Sequence, residues 1–143
     1  MNTNFVVALR WYLWVLMGGL LLQGLGSLSL RLSPALAAAM PYLVGGIFGI
    51  DFWHAWIHIV WGSGGIIVLA TRHTPRATIG LALIFGVFYT LLGVVGVATY
   101  HPLGLKLDLF ENAFHMTAGP ATLLLGVLGA SRFASARAAA APR

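Results

Sequence analysis

His54 and His58 stand four residues apart, and Glu111 and His115 repeat that spacing at an offset of 57 residues. On a helix, residues four apart share a face and differ in height by about 6 Å. Imidazole and carboxylate are ligands for borderline divalent ions, so His54, His58, Glu111 and His115 form a candidate first shell for zinc, iron or a similar metal. His58 and His115, as equivalent positions, also form a candidate cofactor-binding pair, able to ligate a haem from both sides. A chlorophyll-type pigment needs one axial histidine and a flat apolar wall, which Trp53, Trp56 and Trp61 would supply. A proton or quinone site is the remaining chemical reading. The plain alternative makes His58 and His115 interhelical hydrogen-bonding residues that hold a bundle together. His101, before Pro102, reads as a loop residue, and His73 lies among arginines, so neither is taken as a ligand.

These side chains need helices to position them, and the composition says in what solvent. Of 143 residues, 59% are apolar and 8% charged, against about a quarter charged in soluble domains. Lipid must therefore cover most of the exterior. Uncharged runs long enough to cross a bilayer occur at about residues 11–30, 52–71, 77–99 and 109–131. The stretch 33–50 is apolar but broken by Pro34, Pro41 and Gly45-Gly46, which predicts a short interfacial or re-entrant helix between spans one and two. The Ala/Arg/Pro-rich tail, residues 134–143, reads as disordered. Asp51 and Asp108 each precede a span, where a carboxylate caps free backbone N–H groups. Pro120 is expected to kink the fourth span.

The charges set the orientation. With four spans, Arg10, Arg72, Arg76, Arg132, Arg137 and Arg143 share one side, whereas Arg31, Lys106 and every acid share the other. The arginine-rich side is expected in the cytoplasm with both termini, which makes this a multi-pass protein of the cell inner (plasma) membrane. The net charge of +5 is thus a topology signal, and nucleic acid is not an expected partner. Trp11, Tyr12 and Trp14 would lie at the inner interface, and Trp53 and Tyr100 at the outer one.

The offset of 57 also pairs Asp51 with Asp108 and Gly62 with Gly119. An offset of 69 lays Leu22-Gln23-Gly24 over Leu91-Leu92-Gly93. Two parallel helical hairpins related by an axis near the membrane normal would produce such a pattern. The pattern Gly49-Ile50-Asp51-x-x-His54-x-x-x-His58-x-x-x-Gly62, then Thr71-Arg72-His73-Thr74-Pro75-Arg76, then Glu111-Asn112-x-x-His115-x-x-x-Gly119, resembles a bacterial family of four-helix integral membrane proteins described only as a domain of unknown function. The resemblance runs over roughly residues 41–128. It implies a four-helix membrane fold and carries no activity with it.

The chain has no cysteine, which excludes disulfides and thiol chemistry. It has no Gly-rich phosphate loop, no Ser/His/Asp arrangement away from the outer cluster, and no ionisable group in the inner halves of the spans. An enzyme, pump or channel is therefore not expected. The reading is an all-α integral membrane four-helix bundle, acting as a small accessory or structural subunit beside other membrane protein subunits. Its alternative is a cofactor-binding membrane protein that holds a metal ion, haem or pigment through the outer histidines.

Overall fold

The computed structural model describes residues 3–44, 47–99, 101–105, 107 and 109–139. Gly45, Gly46, Tyr100, Lys106, Asp108 and Arg143, which carry parts of the reading above, lie outside the described residues. The fold is helical, with no strand among the described residues: α1 (Thr3–Leu32), α2 (Pro34–Ala39), α3 (Pro41–Val44), α4 (Phe52–Thr71), α5 (Pro75–Thr99), a 3-10 turn (Pro102–Gly104) and α6 (Leu109–Ala139). α1, α4, α5 and α6 are each long and apolar enough to cross a membrane.

The boundaries follow from local chemistry. The segment between α1 and α4 forms two short helices, because Pro34 and Pro41 each open a helix and neither can continue the one before it. The Asp51 carboxylate accepts the His54 N–H at 3.0 Å and so caps α4. Pro75 opens α5 only three residues after Arg72 closes α4, so these helices turn back sharply. α6 runs unbroken through Pro120. The tail read as disordered is helical as far as Ala139, since alanine and arginine are strong helix formers and Ser135 bonds back to the Ser131 carbonyl.

Two antiparallel hairpins make the bundle. α1 packs along α4 and α5 along α6, with much lighter contact between the pairs. Lipid gives no hydrophobic drive between helices, so close backbone approach supplies the attraction. A Cβ at Gly62 would lie 2.6 Å from the Leu21 backbone nitrogen, and one at Gly119 would lie 2.5 Å from that of Thr90. Glycine is required at both crossings. Between the hairpins, Leu13, Met17 and Leu20 of α1 meet Leu69 of α4 and Phe85 and Tyr89 of α5 in one buried cluster. A hydrogen bond of 2.6 Å links Tyr12 of α1 to Thr122 of α6. The outer surface carries exposed Val60, Ile67, Ile84, Leu91 and Leu124, as a lipid-facing surface should.

Both ends are tied. At one, Arg10 donates to the carbonyls of Leu69 and Arg72, and Arg132 stacks over Phe5 at 4.4 Å. At the other, the Arg31 guanidinium donates twice to the Ile50 carbonyl, at 2.7 and 3.2 Å, which anchors α1 beside the start of α4.

Candidate metal centre

The Asp51 cap fixes the first turn of α4, and that turn aims His54 inward with His58 one turn deeper on the same face. α6 delivers Glu111 and His115 with the same stagger. The three imidazoles meet inside the bundle, His54 and His115 fully buried and His58 very nearly so. Ring centroids are 4.5 Å apart for His54 and His58, 5.4 Å for His54 and His115, and 6.5 Å for His58 and His115. One ring nitrogen from each lies within 4.8 Å of the other two.

Glu111 stands beside this trio. Its carboxylate approaches His54 Nδ1 at 3.5 Å, at the outer edge of the site. Of the four residues read as metal ligands, three form the nitrogen cluster and the fourth, Glu111, stands against His54. A carboxylate on the far nitrogen of a ligating histidine fixes its tautomer and raises its basicity.

His58 and His115, read also as hydrogen-bonding struts, make no interhelical hydrogen bond among the described residues. None of the six imidazole nitrogens of His54, His58 and His115 has a hydrogen-bond partner among the described residues. A buried polar group left without one costs about 1–3 kcal/mol. Glu111, 3.5 Å from His54 Nδ1, is the acceptor that stands nearest to the trio in an ion-pair contact.

Tyr89 of α5 was absent from the sequence-based set. Fully buried, it stacks on Phe85 at 4.1 Å and lies edge-on to His115 at 5.2 Å, walling the trio from the inner half of the bundle. Its signal was a single tyrosine deep within an otherwise apolar span. His73 lies at the arginine-rich end, 3.2 Å from an Arg10 nitrogen, and His101 is exposed at the 3-10 turn. Both are remote from the cluster.

A cavity of about 270 Å³ adjoins the imidazoles, walled by Leu16 and Gly19 of α1 and by Phe110 and Phe114 of α6. Gln23 donates to the Ile47 carbonyl at 2.7 Å, and both residues line the cavity. A haem plane between His58 and His115 would have to pass through the space that His54 fills. Trp53 and Trp56 face outward, away from the histidines. Trp61, the third tryptophan of the expected pigment wall, packs against Phe85, Phe88 and Tyr89, and all three tryptophans line a groove of about 360 Å³ on the outer face.

Comparison with known protein families, with curated proteins and with solved structures returns no match for this chain.

Proposed function

We propose that this protein is a membrane-embedded metal-binding bundle, in which His54, His58 and His115 hold one borderline divalent ion and Glu111 orients His54. The observation that carries this reading is the convergence of three buried imidazoles from two hairpins, with no hydrogen-bond partner among the described residues. Nitrogens around a tetrahedral ion at 2.0–2.1 Å stand about 3.4 Å apart, so side-chain torsions alone would close the trio onto it. Three imidazoles suit zinc, iron, copper or nickel. Three protein ligands also leave a coordination position open, as in sites where an ion acts on a bound molecule.

The hairpins support a repeated construction. Gly62 crosses at Leu21 and Gly119 at Thr90; Gly24 crosses at Ile59 and Gly93 at Met116. Each second-hairpin contact follows from the first by adding 57 on the second helix and 69 on the first. A duplicated hairpin would bring equivalent faces, and with them His58 and His115, to one axis. The arginine-rich end is assigned to the cytoplasm of the plasma membrane by charge asymmetry.

The test is a titration of chelator-stripped, purified protein with Zn²⁺ and with Co²⁺, whose visible absorption reports tetrahedral nitrogen ligation. One ion per chain is expected, lost in His58→Ala and in His115→Ala and kept in His101→Ala. Failure of the native protein to bind either ion overturns the reading. A second reading, a small accessory subunit of a larger membrane assembly, is favoured by exposed Trp53, Trp56 and Val60, which surround an outward groove of about 360 Å³ with Leu103. Co-purification of a partner that is lost on Trp56→Ala would support it.

A further inference from the structure

The histidine site has a side door. Val15, at 76% exposure, and Phe110, at 60%, frame the mouth of the 270 Å³ cavity, and the imidazoles form its floor. Val15 lies well inside α1, between Arg10 and Arg31, and Phe110 lies in the first turn of α6, so the mouth runs from hydrocarbon depth on α1 up to the outer end of α6. Gln23 and Ile47, joined by their hydrogen bond, also line the cavity. The door lies along the α1–α6 seam, where the hairpins touch lightly.

We infer that this cavity takes the head of a lipid-soluble quinone or quinol from the bilayer, with an oxygen of the head against the histidine cluster and the tail leaving between α1 and α6. The inference rests on the histidine cluster being the working site of the protein. Three features select this ligand class. In size, about 150 Å³ accommodates benzene, so about 270 Å³ holds one substituted ring. In chemistry, the walls are apolar, with Phe110 and Phe114 available to stack on a ring. The floor carries imidazoles, which donate an N–H to a carbonyl oxygen of the head and, in the ion-free site, also accept from a hydroxyl. In access, an apolar molecule with one polar end, arriving from lipid, meets walls and floor in the required order. A head oxygen placed there also reaches the coordination position that three nitrogens leave open.

Two neighbouring glycines give a matched test. A Cβ at Gly18 or at Gly19 meets no atom within 4 Å, so the backbone tolerates a side chain at either, but only Gly19 lines the cavity. The native protein, Gly18→Phe, Gly19→Phe and Val15→Trp would be placed in lipid nanodiscs and dialysed against a decyl-tailed benzoquinone, with and without chelator, with protein-free nanodiscs as baseline. One saturable quinone per chain is expected for the native protein and Gly18→Phe, and binding at least tenfold weaker for Gly19→Phe and Val15→Trp. Co²⁺ affinity measured on the same samples should stay within twofold in all four. Uptake no greater than in protein-free nanodiscs, or equal uptake by Gly18→Phe and Gly19→Phe, overturns the inference. Absence of Co²⁺ binding alone overturns only the metal reading, because the chelated samples still report whether the ring binds.

Discussion

The imidazoles of His54 and His115 lie with centroids 5.4 Å apart, yet they come from α4 and α6, whose backbones barely approach each other. The side chains bridge a distance that the helices do not close. A ligand of these side chains would be held across the bundle, by residues that come from different hairpins.

Glu111→Gln keeps the shape of the carboxylate and removes its charge. If Glu111 orients His54 through the 3.5 Å contact, ion affinity should fall by about 10–100-fold while stoichiometry stays at one per chain. Competition against a chromophoric chelator measures this. Unchanged affinity would remove Glu111 from the site.

The glycine crossings predict a sharp contrast in stability. Gly62→Leu and Gly119→Leu force a side chain into backbone atoms of the neighbouring helix and should each cost about 1–3 kcal/mol. Gly18→Leu, with open space around it, should be near neutral. Thermal melting in detergent distinguishes these, and equal melting temperatures would mean that the crossings contribute nothing.

Arg10 holds the end of α4 through the Leu69 and Arg72 carbonyls. A cation bonded to the last carbonyls of a helix satisfies groups that have no partner within it. Arg10→Ala should lower stability by about 1 kcal/mol, and Arg10→Lys should restore part of that. An unfolding titration in SDS checks the order native, lysine, alanine.

Topology is testable with reporters. A fusion at the C-terminus or between His73 and Thr74 should be cytoplasmic, and one at Leu103 in the exposed turn should be external. A C-terminal reporter outside the cell would reverse the side assigned to the histidine cluster.

The four helices are legible in the sequence because each lies between charges and exceeds the thickness of a bilayer. The convergence of the histidines is legible too, once the i, i+4 spacing and the offset of 57 put two faces in one register. Tyr89 and the cavity at Gly19 are not. Periodicity says which residues share a face of one helix, but the rotation of one hairpin against the other comes from side-chain fit at Met17, Phe85 and Tyr89, which leaves no pattern along the chain. The helical tail was obscured by a different effect: an Ala/Arg run without an apolar face gives no packing signal, although its intrinsic propensity suffices to extend α6 to Ala139.

The light contact between the hairpins has a consequence for how the site comes into being. The α1–α4 hairpin alone carries two of the imidazoles, and the α5–α6 hairpin carries the third together with the carboxylate. Neither half alone holds the three imidazoles, and each half has its own close helix crossing, at Gly62 and at Gly119. An ion bound by the trio would therefore act as a rivet between the two hairpins, strengthening their association to the extent that it binds the joined form more tightly than either half. Occupancy and quaternary-like assembly within this one chain become a single equilibrium, and loading the site would decide how firmly the two halves stay together in the bilayer.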